Sequence, residues 1–158
     1  MKRLLPFALT LFLVGCGSKD AIPYLGRWHG DLVVDKTDRA GTDKDLQRES
    51  LRGALQIYAT DKRCKLHLEG EQETIDAEGN WSHTGTTVTI KFTSVKIDDQ
   101  GGADRRDPNL KFIAPVDIRA AYQRNLILHL SRDKKKLLGL EVTLGHLTGH
   151  HVFTRSSD

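Results

Sequence analysis

Apolar residues in this chain recur at every second position far more often than at every third or fourth. Trp28, Gly30, Leu32 and Val34 fall on one side of an extended segment, as do Leu55, Ile57 and Ala59, then Cys64, Leu66 and Leu68, then Val88, Ile90 and Phe92. Successive side chains of a strand point to opposite faces, so this period predicts strands with one buried and one wet side. The opposite faces carry Lys65, His67 and Glu69, or Thr87, Thr89, Lys91 and Thr93, the alternation of antiparallel sheet. Turn-forming groups separate the runs: Asp61-Lys62-Arg63, Ala77-Glu78-Gly79-Asn80, Thr84-Gly85, Gln123-Arg124-Asn125 and Arg132-Asp133-Lys134-Lys135. Gly145-His146 is a Gly-X pair suited to a two-residue type II′ turn. In that register Glu141 faces His150, while Leu138 and Leu140 share a face with Leu144, Leu147 and Phe153.

Two stretches depart from the alternation. Asp35 to Ser50 is charged, with a short helix expected over Asp43 to Arg52, and Asp98 to Asn109 is a loop rich in Asp and Gly. Connections of this length are functional or mobile. Counting runs gives eight to ten strands in roughly 130 residues, too many for an open sheet of this size without exposed edges. The expected fold is therefore all-β, an antiparallel up-and-down β-barrel.

Gly26-Arg27-Trp28 opens the first strand and resembles the Gly-x-Trp motif of lipocalins, and Arg155 follows the last strand where that family has an arginine covering the tryptophan. The resemblance implies a lipocalin-like barrel closed at its floor by Gly26, Trp28 and Arg155, with Arg155 within cation–π reach of Trp28. Such a contact is worth about 0.5–2 kcal/mol. The long disulfide of that family is absent.

The N-terminus carries a different signal. Met1-Lys2-Arg3 is a short basic patch, and the apolar run Leu4 to Val14 behind it is too short to span a bilayer, so it reads as a signal peptide. Leu13-Val14-Gly15-Cys16 resembles the lipobox of bacterial lipoproteins. That resemblance implies cleavage between Gly15 and Cys16, a diacylglyceryl group on the Cys16 sulfur and acylation of the new amine. Two or more acyl chains hold a bilayer stably where one does not. Three parts are expected: a signal peptide over 1–15, a flexible tether over 16–22 and a barrel domain over 23–158. Residue 17 is Gly, not the Asp that favours inner-membrane retention in enterobacterial lipoproteins, which points to the outer membrane.

Of the 158 residues 38% are hydrophobic and 28% charged, near globular averages, so disorder and coiled coil are excluded. Cleavage takes Lys2 and Arg3 from the 24 basic residues and leaves 22 against 21 acidic ones, so no basis remains for non-specific attraction to nucleic acid. With Cys16 lipidated, Cys64 has no partner in the chain and reads as a small buried hydrophobe.

No serine-hydrolase, phosphate-loop or dinucleotide signature is present, and the carboxylate pairs Glu69/Glu71 and Asp98/Asp99 lie in charged, solvated stretches. No catalysis and no cofactor are expected. Of seven histidines, His146, His150 and His151 cluster near the C-terminus. Glu141 with His150 could supply two metal ligands, and His29, His67, His83 or His129 could join through the fold. The aspartates at 98, 99, 104 and 107 lack the spacing of an EF-hand. Lys134-Lys135-Lys136 reads as a solvated hairpin tip that also blocks edge pairing. The function expected is a non-catalytic, lipid-anchored envelope protein binding a small apolar ligand or a protein partner. The alternatives are a histidine-based metal-binding lipoprotein and an inhibitor that presents the Asp98 to Asn109 loop to a secreted enzyme.

Overall fold

The alternating runs form eight strands, β1 (Gly26–Thr37), β2 (Leu51–Ile57), β3 (Arg63–Glu69), β4 (Glu73–Thr84), β5 (Thr87–Asp99), β6 (Leu126–Leu130), β7 (Lys136–Leu144) and β8 (Leu147–Arg155). This is a computed structural model that describes residues 22–37, 50–71, 73–99 and 114–157. Each strand pairs antiparallel with the next, and β8 pairs back onto β1, so the sheet closes into an up-and-down barrel. Closure leaves no full-length free edge, which is how so many short strands coexist in a small domain. Most inward positions are those the period named: Trp28, Leu32, Leu55, Leu66, Leu68, Val88 and Ile90 are all nearly or wholly buried, whereas Ala59, expected on the face of Leu55 and Ile57, lies beyond the end of β2 and is exposed.

The structure departs from the local pattern at several places. Ala77 to Asn80 is no turn. β4 runs straight through it, and the register against β5 slips opposite Glu78 and Gly79, where Thr93 is the extra residue of a bulge on β5. A Cβ on Gly79 would sit 2.2 Å from the Lys91 carbonyl oxygen, so the glycine marks a close backbone approach within a strand. The turn before β4 lies instead at Gly70 and Glu71, where the Gly70 amide donates to Glu73.

Leu138 and Leu140 do not share a face with Leu144. A second bulge between Leu138 and Glu141 on β7 reverses the inside-outside order, so Leu137 and Leu144 are buried while Leu138 and Leu140 are exposed. One extra residue flips every side chain beyond it. The turn itself stands as expected at Gly145-His146, with Gly145 at φ +57°.

The residues before Gln123-Arg124-Asn125 form a helix, α1 (Pro115–Gln123), where a strand was implied. Pro115 pre-sets the first helical position, and Ile118 and Tyr122, four apart, bury one face while Val116 stays exposed. α1 takes a defined place in the wall. β6 has only five residues and meets β5 only over Thr87–Ile90, so the farther halves of β5 and β7 lack a strand between them. α1 packs against both. Of the helix expected over Asp43 to Arg52, Ser50 is non-helical, Leu51 and Arg52 belong to β2 and residues 43–49 lie outside the described residues, as does most of the Asp98 to Asn109 loop beyond β5.

Candidate functional site

The two ends of the barrel are built differently. At the near end, where the chain enters at Ile22, the three motif residues come together. Gly26 has φ +114°, a conformation that lets the chain swing from the Ile22–Leu25 turn into β1. Trp28 is wholly buried and its Nε1 donates to the Tyr24 carbonyl at 2.9 Å. Arg155, opposite Trp28 across the β1–β8 seam, places its Cζ 5.4 Å from the Trp28 ring centroid. Its Nη1 donates to the Pro23 carbonyl at 3.2 Å and its Nη2 to Leu25 at 3.1 Å. The Tyr24 hydroxyl donates to the Gly85 carbonyl at the β4–β5 turn, and Trp81 Nε1 donates to the Tyr58 carbonyl at 2.8 Å. Every polar group of this aromatic floor named here has a partner.

The histidines are dispersed. Glu141 does stand opposite His150 in the β7–β8 ladder, but His150 Nδ1 is engaged at 2.6 Å by Asp35 Oδ2 on β1. His67 Nδ1 meets Asp76 Oδ1 at 2.7 Å across β3 and β4, His129 Nδ1 meets the Thr87 hydroxyl at 3.0 Å, and His83 lies against Tyr24 and Trp81. Among the described residues no three His, Cys, Asp or Glu side chains gather in a geometry that could hold a metal ion. Cys64 is buried beneath β3, and burial pushes its thiol up to about 12, so it is a poor nucleophile at neutral pH. Gly15 and Cys16 lie outside the described residues.

His151 is the exception among the histidines. On β8 it follows the inward parity of Leu147, Gly149 and Phe153 and is wholly buried. Its ring stacks on Phe153 at 5.5 Å between centroids and 10° between planes. Its Nε2 lies 3.4 Å from the Tyr122 hydroxyl, at the long limit of a hydrogen bond, and its Nδ1 has no partner among the described residues. Burial first, then the neighbouring His150, pushes its pKa down to about 4, so the ring is neutral at physiological pH. Tyr122 is brought there by α1, and its ring meets Phe92 edge-on at 5.4 Å between centroids. Burial also raises the Tyr122 phenol above its usual range.

Outside this cluster, along the seam between α1 and β7, runs a groove of about 470 Å³ lined by Tyr122, Leu126, Leu140 and Val142, with Asp117 and Arg124 at its polar rim. Tyr122 is therefore the wall between the groove and His151. An imidazole nitrogen left unanswered at full burial costs about 1–3 kcal/mol, which calls for an explanation at this spot. The sequence reading named His151 only as part of a histidine cluster, although it shares the parity of Leu147 and Phe153, and Tyr122 carried no signal because its helix was not foreseen. No family model matches the chain, and no curated protein matches it.

Proposed function

We propose that this protein is a lipid-anchored, non-catalytic component of the bacterial envelope, whose barrel takes up a small apolar molecule bearing a hydrogen-bonding group at the α1–β7 seam. The anchor reading rests on the order of basic patch, apolar run and Leu13-Val14-Gly15-Cys16, and Gly17 supports outer-membrane residence. The ligand reading rests on one observation, the unpartnered Nδ1 of fully buried His151 behind a groove of about 470 Å³. Ligand sites are mostly apolar with a few convergent polar groups, and volumes of about 300–1,000 Å³ are usual. Because the strands fill the barrel axis with Trp28, Phe92, Phe153 and branched aliphatics, the seam rather than a deep cup is where a guest fits. A second reading, a protein partner, draws on Leu138, Leu140 and Val116, exposed by 41%, 52% and 68% on the outer surface.

Native mass spectrometry of protein purified from its own membranes tests this directly. The expected spectrum shows cleavage before an acylated Cys16 and a retained small organic molecule, with the molecule lost when Val142→Trp fills the groove. Acylated protein that retains nothing and gives no fluorescence gain with the apolar probe N-phenyl-1-naphthylamine would overturn the ligand reading. Cross-linking of an envelope protein through residue 140 would then favour the second.

A further inference from the structure

The near end of the barrel, where the chain enters, is strongly basic. Up-and-down topology gathers the β2–β3, β4–β5 and β6–β7 turns and the end of β8 around Ile22. The first and third of these turns, with the strand ends beside them, carry Lys62, Arg63, Arg132, Lys134, Lys135 and Lys136, all exposed. Arg27 and Arg155 add two more charges at the β1–β8 seam between them. Only Asp61 and Asp133 oppose them in these turns. Asp61 lies 3.9 Å from Arg63, and Asp133 is held ionised, its carboxyl lowered by the Ser131 hydroxyl and the Lys135 amide. Among the described residues the far end has the opposite balance, with Asp35, Glu69, Glu71, Glu73, Asp98, Asp117 and Glu141 against Arg52, Lys96, Arg119 and Arg124. Among the described residues, charge is thus divided between one basic and one acidic end, which the near-neutral total does not show.

We infer that the basic end is a docking face for a bilayer surface carrying anionic headgroups, so that the barrel sits on its anchored membrane with the α1–β7 seam turned away. This rests on the proposed lipidation of Cys16. Five residues lie between Cys16 and Ile22, six chain steps with a reach of at most about 20 Å, about half the roughly 40 Å contour of the twelve-residue β1 that leads to the other end. The anchor therefore brings this end, and not the acidic one, to the membrane. Electrostatic attraction acts within a Debye length of about 8 Å, and the tether supplies the proximity that a soluble protein would lack. An acyl anchor plus a basic patch is a stronger membrane signal than either alone.

Amine acetylation of the full-length lipoprotein, purified from its own membranes and reconstituted into vesicles, tests the orientation. Phosphatidylcholine vesicles are compared with vesicles that also contain phosphatidylglycerol, at low and high salt. Acetylation of Lys62, Lys134, Lys135 and Lys136 is expected to slow about tenfold on the anionic surface, with Lys96 unaffected and the contrast erased by salt. A Lys135→Gln/Lys136→Gln variant should regain acetylation at Lys62. Equal rates on the two surfaces overturn the proposal, and so does protection in native membranes that anionic vesicles fail to reproduce, which would assign this end to an acidic macromolecule. The same spectra report the mass at Cys16. An unmodified thiol there overturns the anchor reading and the orientation with it, whereas an acylated Cys16 without contrast overturns the orientation alone.

Discussion

The floor of the barrel and the α1–β7 seam use the same kinds of residue, aromatic rings with a basic or ionisable neighbour, to opposite ends. At the floor, Trp28, Tyr24 and Arg155 each place their polar atoms on a backbone carbonyl. At the seam, Tyr122 and His151 face each other at 3.4 Å and one imidazole nitrogen is left over. A fully satisfied cluster rigidifies a structure, while a partly satisfied one costs stability. The difference follows from construction. Continuous strands and a short turn make the floor, whereas the seam is where a five-residue strand ends and a helix completes the wall.

If the floor is the stabilising end, truncating its centre has the largest effect. Trp28→Ala is expected to lose about 3–5 kcal/mol in urea unfolding followed by circular dichroism, since it empties a wholly buried site and orphans the Tyr24 carbonyl. A loss under 1 kcal/mol would dissolve the contrast. The seam predicts a pH effect of slightly smaller size. The folded pKa of His151, about 4, lies below the unfolded value near 6.5, so the unfolded chain takes up the proton first. Its contribution is intact above pH 6.5 and is lost as pH falls toward 4, by about 3 kcal/mol. The measurement is the difference between the unprocessed pH profile of the native protein and that of His151→Leu, since carboxylates titrate in both. Smallest of all is Leu140→Ser. With its side chain 52% exposed, it should move stability by no more than about 0.5 kcal/mol in the same unfolding assay, although an uninterrupted alternation back from Leu144 would place it in the core.

How far the fold could be read in advance depended on how local its cause was. The inward faces of β1, β3 and β5, the Gly145-His146 turn and the burial of Cys64 all follow from a two-residue period that each segment carries within itself. The bulges at Gly79 and near Leu140 do not, because an extra residue in one strand is defined only against its partner. Gly79 illustrates the point: a glycine beside Glu78 and Asn80 has the composition of a turn, and only the Lys91 carbonyl pressing on it reveals a strand. Of the candidate site, His151 stood out only as a member of a histidine cluster, its parity with Leu147 and Phe153 being the signal that could have placed it inward, and its neighbour Tyr122 comes from α1, far away in the chain.

What the chain dictates by itself is the closed all-β wall, since alternating burial in short runs has few ways to remove its edges, and the pairing of Trp28 with Arg155 at the first and last strands. Tertiary structure alone decided that a helix replaces half of β6, that bulges interrupt β1, β5 and β7, and that the basic turns collect at one end. These depend on contacts between residues distant in sequence, whose geometry no local pattern encodes.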